Sequence, residues 1–368
     1  MAEHVHYQAE ALHELGFRVD AVVTKDFLGG RSSKYRKLDI LATPETSGNR
    51  SVRGVRSIAC YRNNLARTSD HCLATGCRLV LLESFAEYAA PFWVGKLKRL
   101  KAQGVCVGAN LHDPVRDYQI GPKWWHNWSV RSAYNPLSFV LVHQRVPREA
   151  NIPAHVECHE VPVGVYRTNS VETTKKHARH ALDIPLASRV YLAFGFIRDN
   201  KNLDLFIEAM CDQDDVFLVV AGRPQSARDK PVQHYQDLAR RIGVASRVHF
   251  ETEFIPDEKI PLYFAASDVV LLTYSEEFRS QSGVLNIAAN YQKSVLASGG
   301  PSPLQDCVKR FALGRFVTPN CVDSLRVALR EPDVPPPTAL WDDYFEYASW
   351  TNNVVPLVKT LKTMDCGL

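Results

Sequence analysis

Two cations follow directly on the pattern of a buried strand in the stretch VYLAFGFIRDNKNLDLFIEA, and their spacing suits the binding of phosphate. The run VYLAF is rich in β-branched and aromatic residues, which predicts a strand that ends before Gly195. Arg198 and Lys201 come next, and apolar residues at helical spacing begin at Leu203. A strand, a basic turn and a helix present N–H groups and positive charge to an anion, so both cations are candidates for binding a diphosphate. The alternative is that they are solvated cations at a helix start, where the macrodipole disfavours positive charge.

Two later strand patterns end at residues of similar chemistry. The run VFLVVAG ends at Gly222 and is followed by Arg223, which places a tight turn and a cation together. After the run VVLLTY, Ser282 and Gly283 precede an apolar helical pattern. Serine is a good N-cap and glycine permits close backbone approach, so this helix start could receive phosphate. The alternative is a well-capped helix without a ligand. Three such turns at one sheet edge favour an anion site.

The length of 368 residues suggests two domains of ordinary size, and a composition of 45% hydrophobic and 23% charged residues is typical of a soluble globular protein. The net charge of +4 is unevenly distributed, since residues 1–165 carry 21 basic and 15 acidic residues and the remainder carries 23 and 25. The basic excess of the first part would suit an acidic acceptor or a peripheral contact with an anionic membrane surface. The alternative is an ordinary solvated face. Dispersed basic residues disfavour nucleic acid as a partner.

The chain shows no pattern of secretion, membrane insertion or zinc binding. Its first residues, MAEHVHYQAEALHELGF, mix acids and histidines in a helical pattern that is not typical of a secretory signal, and no apolar run is long enough to span a bilayer. The nine cysteines include no CxxC pair and no Cys/His spacing typical of zinc. These features favour a reducing cytoplasm and predict no bound metal.

Helical patterns alternate with short strands along the whole chain, which predicts parallel sheets covered on both faces. The strand patterns RVDAVVT, SIACY, RLVLLES, GVCVGANLHD and SFVLVHQ, with the helix AAPFWVGKLKRLKAQG, define a first domain at residues 1–165. The polar segment 166–189 reads as an interdomain linker, and the pattern restarts in a second domain at residues 190–334. After a proline-rich turn, the segment 335–368 is helical, and we expect it to pack back on the N-terminal domain. Two such domains would place a ligand in the cleft between them.

The second half of the chain resembles the group 1, GT4-like glycosyltransferases of the GT-B fold. The segments that carry the resemblance are FGFIRDNKNLDLFIEA, VVAGRP, RVHFETEFIPDEKIPLYFAASDVVLLTY and SQSGVLNIAANYQKSVLAS. The resemblance implies two doubly wound, Rossmann-like α/β domains that face one another across a cleft. It further implies that the second domain holds a nucleotide-diphosphate sugar, a UDP- or GDP-sugar, as substrate without another cofactor, and that the first holds a saccharide or lipid-linked acceptor, as in polysaccharide biosynthesis. Transfer would retain the anomeric configuration.

The same resemblance assigns roles within the second domain. Arg198 and Lys201 would bind the diphosphate, and Phe254 and Ile255 would lie against the nucleobase. The backbone from Ser282 to Val284 would meet the phosphates or the sugar. The full set of expected donor-binding residues is Gly195, Arg198, Lys201, Arg223, Phe254, Ile255, Glu277, Ser282, Gly283 and Val284.

In the first domain, the strand pattern GVCVGAN ends in Leu111, His112 and Asp113, and the family places a histidine after the corresponding strand, near the donor sugar. A neutral imidazole there could hydrogen-bond a sugar hydroxyl, which makes His112 and Asp113 the catalytic candidates. The alternatives are a structural histidine and a turn aspartate before Pro114. Arg116 could reach a phosphate or an acidic acceptor.

Three tryptophans in GPKWWHNWSVR offer a surface for an acceptor. Trp124 and Trp125 lie beside basic residues, a combination that suits stacking on a sugar ring or contact with a lipid interface. The spacing of Trp124 and Trp128 is helical, so the alternative is packing in the core or at a domain interface.

Two departures from the family keep other functions open. Arg279 and Ile287 occupy the positions where many GT4 enzymes carry two glutamates, although Glu277 is near enough to replace the first. The first strand and its glycine-rich loop are missing from the pattern, since Gly29 and Gly30 follow the next strand instead, and we expect the natural chain to start upstream of Met1. The alternatives are a noncatalytic GT-B protein that binds nucleotide or glycan, and a sugar-nucleotide epimerase.

Overall fold

A computed structural model divides the chain into two compact α/β units. The first consists of Met1–Gly164 with Trp350–Leu368, and the second of Val165–Ser349. The structure describes residues 2–27, 34–44, 47, 49–83, 86–112, 121–146, 150–166 and 173–365.

The first unit contains two parallel sheets. Its elements are α1 (Ala2–Glu14), β1 (Asp20–Thr24), β2 (Arg36–Leu41), α2 (Arg50–Thr75), β3 (Leu79–Leu82), α3 (Ala90–Ala102), β4 (Cys106–Leu111), α4 (Lys123–Tyr134), β5 (Phe139–Val142) and β6 (Glu157–Glu160). The strands β3, β4, β5 and β6 form one sheet in that order, and β1 pairs with β2 in a separate sheet. In the larger sheet Gly108 of β4 pairs with Phe139 of β5, and a side chain on Gly108 would overlap the Phe139 ring.

The second unit is a six-stranded parallel sheet covered by helices. Its elements are α5 (Lys175–Ala181), β7 (Arg189–Phe194), α6 (Leu203–Ala209), β8 (Val216–Ala221), α7 (Val232–Arg241), β9 (Val248–Glu251), α8 (Ile260–Ala266), β10 (Val269–Thr273), α9 (Gly283–Asn290), β11 (Ser294–Ser298), α10 (Pro303–Arg310), β12 (Gly314–Phe316), α11 (Val322–Arg330) and α12 (Thr338–Tyr347). The strand order is β12-β11-β10-β7-β8-β9. The order reverses between β7 and β10, where ligands bind in doubly wound sheets.

The last helix, α13 (Trp350–Asp365), belongs to the first unit. The Trp350 ring lies over Gly164, where a side chain would overlap it, and it stacks on the Tyr7 ring of α1 with centroids 5.6 Å apart. The predicted segment 335–368 is therefore divided. Its first helix α12 buries Trp341 and Tyr344 in the core of the second unit, and only α13 packs on the first.

In the first unit one predicted strand is wrong, and two strands were not predicted. The run SIACY was expected to be a strand, but it lies inside α2, which begins where the Asn49 side chain accepts a hydrogen bond from Val52 N (3.0 Å) and ends at the left-handed Gly76. A short run that contains an isoleucine and a tyrosine does not break a helix that is capped at both ends. The strands β2 and β6 were not predicted, because their sequences RKLDIL and ECHE are polar and largely exposed.

The segment 166–189, predicted as a linker, is part of the second unit. Thr174 caps α5, and the Arg179 side chain is only 1% exposed. Arg179 donates hydrogen bonds to Asp268 Oδ2 (2.6 Å) and to the Ala266 carbonyl (3.0 Å), and Asp268 also accepts one from Val190 N (2.8 Å). One buried ion pair thus holds α5 against α8 and β7. The polar composition that suggested a linker in fact includes a buried, fully hydrogen-bonded arginine.

Cys72 and Cys77 are joined by a disulfide bond at the end of α2. The spacing of the cysteines had predicted a reducing compartment. Among the described residues, no helix combines the length and the apolar character needed to cross a bilayer.

We expect Arg179→Met to lower the free energy of unfolding by about 3 kcal/mol, because it removes a buried guanidinium and leaves the half-buried Asp268 carboxylate without its main partner. Lys175, which pairs with the same carboxylate, is 54% exposed and provides the matched control. Lys175→Met should cost less than about 1 kcal/mol. Urea unfolding of both variants measures the difference, and equal losses would show that Arg179 does not hold α5 in place.

Candidate functional site

Three of the predicted donor-binding residues meet at the carboxyl end of β7. Gly195 adopts a left-handed conformation with φ of 82° and turns the chain out of the strand. A Cβ atom built on Gly195 would lie 3.8 Å from Lys201 Nζ and 3.9 Å from Val284 Cγ2. The α-carbon of Gly195 therefore faces the ammonium of Lys201 and the first turn of α9.

A second glycine fixes the position of this turn. A side chain on Gly222 would overlap the carbonyl oxygen of Gly195, so only glycine allows the ends of β7 and β8 to come so close. The Gly195 amide donates to the Ala221 carbonyl (2.9 Å), and the Ile197 amide donates to the Arg223 carbonyl (3.0 Å). The loop that carries Arg198 and Lys201 is thus an extension of the sheet and has a defined backbone.

Lys201 turns back toward the strand that precedes it. Its ammonium donates a hydrogen bond to the Phe194 carbonyl (2.7 Å), and its own carbonyl accepts one from Thr273 Oγ1 (2.9 Å). Burial, aided by the positive charge of Arg198, lowers the pKa of Lys201 from 10.5 to about 7. The free protein therefore holds this lysine partly neutral near pH 7, and a nearby anion would favour its protonated form.

Arginine and phenylalanine side chains alternate at the same edge. The guanidinium of Arg223 lies 5.5 Å from the centre of the Phe196 ring and 6.0 Å from that of Phe254. Arg198 lies 5.8 Å from the Phe196 ring. The Phe254 ring is 65% exposed, which is unusual for a residue of this size, whereas the Ile255 side chain is buried in the core. Of the two residues expected at the nucleobase, Phe254 presents a ring to solvent and Ile255 does not.

The first turn of α9 lacks a side-chain cap. The Ser282 hydroxyl is hydrogen-bonded to the Tyr274 hydroxyl (2.9 Å) and does not cap the helix, contrary to its expected role as N-cap. Tyr274 stacks on Phe278 with ring centroids 3.9 Å apart. The backbone N–H groups at Gly283 and Val284 therefore begin a helix without a serine oxygen in front of them, and such groups attract anions.

The loop before α9 carries Glu277 and Arg279, near the positions of the acidic pair found in many GT4 enzymes. Glu277 is exposed, and a hydrogen bond from Ser275 lowers the pKa of its carboxyl group. Arg279 folds back on the loop and donates to the Glu276 carbonyl, while Ile287 packs against the core. Glu277 is therefore an ionised carboxylate at this edge at neutral pH.

In the first unit, His112 is hydrogen-bonded to Glu83, which was not predicted from the sequence as a site residue. His112 Nε2 lies 2.7 Å from Glu83 Oε1, and Asn110 Nδ2 donates to Glu83 Oε2 (2.5 Å). Burial raises the pKa of Glu83, but the hydrogen bond from His112, the charges of His4 and His112 and the hydrogen bond from Asn110 outweigh it and hold the pKa below its usual value. The feature of the sequence that could have pointed to Glu83 is its position at the end of the strand pattern RLVLLES. Asp113, Arg116, Gly29 and Gly30 lie outside the described residues.

Two further histidines lie beside His112, and they were not predicted. One ring nitrogen from each of His4, His112 and His143 lies within 4.8 Å of the other two. Burial lowers the pKa of His4 to about 3 and that of His143 to about 4, so both rings are neutral at pH 7. Their separation in the sequence concealed the cluster, because only the fold brings α1 to the ends of β4 and β5.

The tryptophans of α4 form an exposed aromatic cluster. Trp124 is 68% and Trp128 is 51% exposed, which contradicts the alternative that these two pack in a core. Trp125 is half-buried between them and donates to the Tyr88 carbonyl (3.2 Å). Trp125 therefore anchors the cluster, and Trp124 and Trp128 present apolar surface to solvent.

Comparison with known proteins identifies the family of the second unit. Residues 174–330 match the model of the family described as Glycosyl transferases group 1. The chain is 30% identical over 117 residues to the D-inositol 3-phosphate glycosyltransferase of Corynebacterium diphtheriae, and the alignment covers 30% of this chain and 27% of that relative. The matched part thus spans about a quarter of the relative's length.

Solved structures share the fold over most of the chain. Sucrose-phosphate synthase from Thermosynechococcus elongatus matches with a TM-score of 0.64 at 17% identity, over 98% of this chain and 92% of that chain. The HepE protein of Anabaena in complex with UDP matches with a TM-score of 0.62 at 16% identity, over 82% of each chain. The predicted resemblance is confirmed: residues 174–330 match the group 1 glycosyltransferase model, and the chain has the two Rossmann-like units of the GT-B fold.

The lowered pKa of Lys201 predicts a pH-dependent effect on stability. Between about pH 7 and pH 10.5 the unfolded chain binds a proton at this lysine that the folded chain does not, so the folded state gains stability as pH rises. Lys201→Met removes that dependence. We expect the melting temperature of the variant, relative to wild type, to be highest near pH 6 and to fall by a few degrees toward pH 9.

Lys176→Met, which changes an exposed lysine of α5 in the same unit, provides the comparison for general effects of losing a lysine. Differential scanning fluorimetry at several pH values gives the melting temperatures of wild type and of both variants. A difference between Lys201→Met and wild type that stays constant with pH would show that Lys201 is not desolvated.

Proposed function

We propose that this chain is a glycosyltransferase that moves a sugar from a nucleotide-diphosphate donor, a UDP- or GDP-sugar, to a saccharide or lipid-linked acceptor with retention of anomeric configuration. The observation that carries the proposal is the meeting of Gly195, Lys201 and the first turn of α9 at the end of β7. It lies within the part of the chain that matches the group 1 glycosyltransferase model.

The arrangement suits a diphosphate for electrostatic reasons. Arg198 and Lys201 supply positive charge, and the uncapped N–H groups at Gly283 and Val284 supply hydrogen-bond donors. When the bond between the sugar and the diphosphate breaks, negative charge grows on the departing oxygen. Donors that are already in place stabilise that charge without reorganising, which is the usual large term in catalysis.

The nucleobase would stack on Phe254, the exposed ring that Arg223 faces. An exposed aromatic ring provides an apolar face for a base, and the neighbouring guanidinium adds a cation next to the ring. The HepE protein, which shares this fold, has a structure in complex with UDP. This supports the binding of a uridine or similar nucleotide by the second unit. Ile255 would support Phe254 from the core, and its side chain would not touch the base.

His112 is the residue that we propose to contact the donor sugar. The Glu83 carboxylate accepts from His112 Nε2, so the Nδ1 atom of an imidazole that carries its proton on Nε2 would accept a hydrogen bond from a sugar hydroxyl. Glu83 acts as a positioning residue in this account. Asp113 and Arg116 remain candidates for the same region, with Arg116 serving an acidic acceptor.

The acceptor would be held by the first unit. Exposed rings at Trp124 and Trp128, with Trp125 between them, suit stacking on a saccharide or contact with lipid. Together with the basic excess of residues 1–165, they support a peripheral position at the cytoplasmic face of a membrane.

A noncatalytic GT-B protein that binds nucleotide without transfer is the second candidate. It is favoured by one observation, the presence of Arg279 and Ile287 where many relatives carry two glutamates. A panel of UDP-, GDP- and ADP-sugars, assayed by ligand-detected NMR and by release of free nucleotide, separates the two. Binding with turnover supports the enzyme, and binding without turnover in the presence of mixed acceptors supports the second candidate.

Variants divide the site into its two parts. Lys201→Ala should weaken binding of the nucleotide sugar by at least about tenfold, because it removes a charge-assisted contact to the diphosphate. Lys293→Ala is the matched control and should leave affinity unchanged. His112→Ala should lower turnover by about 100-fold or more with nearly unchanged nucleotide affinity. Unchanged affinity in Lys201→Ala, or unchanged turnover in His112→Ala, would remove that residue from the site.

A further inference from the structure

Three histidines converge in the first unit from three different elements. His4 lies on α1, His112 directly follows β4 and His143 directly follows β5. One nitrogen of each ring lies within 4.8 Å of the others, and the ring centroids are 5.1 to 5.5 Å apart. In a tetrahedral zinc site, with bonds near 2.0–2.1 Å, ligand nitrogens are about 3.4 Å apart, so a modest closure would bring these three to bonding distance.

Two of the three rings are buried and point unpaired nitrogens into the protein. His4 is 2% and His143 is 3% exposed. In the part of the chain that the structure describes, the Nε2 atoms of both rings are buried and have no hydrogen-bond partner. A buried polar atom without a partner is unfavourable and rare in native proteins, and two in one cluster require an explanation. A cation between the rings would provide it.

In His143 and His112, the ring nitrogen that faces away from the cluster makes a hydrogen bond, as is usual in histidines that bind metal. His143 Nδ1 lies 3.1 Å from the Val161 carbonyl, and His112 Nε2 lies 2.7 Å from Glu83 Oε1. Metal-binding histidines typically donate their second N–H to a backbone carbonyl or a carboxylate, which orients the ring and raises its basicity. These contacts leave Nε2 of His143 and Nδ1 of His112 to face the cluster.

The Glu83 carboxylate is connected in turn to the helix that carries His4. Asn110 Nδ2 donates to Glu83 Oε2 (2.5 Å) and to Gln8 Oε1 (3.0 Å), and Gln8 Nε2 donates to Asn353 Oδ1 (2.8 Å). Gln8 lies one helical turn after His4 on α1. The hydrogen-bond network therefore fixes α1 relative to β4, and with it the distance between His4 and His112.

We propose that His4, His112 and His143 bind a divalent transition metal ion of the zinc, cobalt and nickel class. Three imidazoles suit these ions, whereas magnesium and calcium prefer oxygen ligands. Both buried rings are neutral at pH 7, which is the form that binds metal. The nearby Glu83 carboxylate balances part of the positive charge. Three protein ligands leave a fourth position for water or for a hydroxyl group.

This site is formed by residues of the first unit alone, whereas the proposed diphosphate site is formed by residues of the second. It shares His112 with the proposed function, because the metal would bind the Nδ1 atom that we assign to a sugar hydroxyl in the metal-free protein. Metal binding itself depends only on the three rings and does not depend on whether the chain transfers a sugar.

Titration of the chelator-treated full chain with Co²⁺ tests the proposal, because four-coordinate cobalt has a strong visible absorption. We expect one ion per chain, displaced by Zn²⁺. His143→Ala should weaken binding by at least 100-fold, and His4→Phe, which keeps a ring against Trp350, should do the same. His155→Ala, which changes an exposed histidine on the same unit, is the matched control and should bind as wild type does.

Glu83→Gln keeps all three ligands and should weaken binding by about 10- to 100-fold, which guards against loss of folding in the ligand variants. Absence of stoichiometric binding in wild type, or equal binding in wild type and the His143 and His4 variants, would overturn the proposal. Binding of a UDP-sugar is measured on the same samples. Metal binding without nucleotide binding would refute only the proposed function, and nucleotide binding without metal binding would refute only the metal site.

Discussion

The contact of Gly222 with the Gly195 carbonyl is the constraint on which the donor site depends. It brings the ends of β7 and β8 so close that Gly222 tolerates no side chain between them. With the backbone fixed there, the next residues form a short turn that returns Lys201 to the Phe194 carbonyl (2.7 Å). The position of the lysine is therefore set by backbone packing and does not depend on a ligand.

That position has an energetic cost. The chain buries an ammonium with a carbonyl as its hydrogen-bond acceptor and an arginine nearby, which lowers the pKa of Lys201 to about 7. A protein selected only for stability would place an apolar residue there. A protein that binds a diphosphate gains from the arrangement, because the arriving negative charge replaces the lost solvation and returns the lysine to its charged form. Destabilised, pre-positioned charge is typical of functional sites.

The sequence predicted the second unit better than the first, for physical reasons. Strands such as VYLAF and VFLVVA are buried on both faces, so their apolar runs are easily recognised. The exposed strands β2 and β6 carry no such run, and SIACY was taken as a strand because its capped helix is defined by residues outside the run. The burial of Arg179 was not predicted, because its partner Asp268 is remote in the sequence.

The candidate site was also predicted only in part. Residues marked by a local sequence pattern were found, and residues defined by contacts between elements were not. Arg198 and Lys201 follow a recognisable strand, so local pattern was sufficient to select them, whereas Val284 was selected through the family resemblance. Glu83 and the histidines at positions 4 and 143 act through contacts between elements, which no local pattern contains. The uncapped start of α9 was also hidden, because the Ser282 hydroxyl bonds to Tyr274 across the loop.

The central claim is that the half-buried Lys201 is largely neutral above pH 7 and charged when a diphosphate is bound. Its most direct test is the number of protons taken up on binding a UDP-sugar at pH 8, measured by isothermal titration calorimetry in buffers of different ionisation enthalpy. The diphosphate of a nucleotide sugar has no group that titrates near this pH. We predict uptake of close to one proton per chain in wild type and affinity that falls as pH rises above about 7, by up to about tenfold per pH unit. Binding without proton uptake, at an affinity independent of pH, would contradict the account.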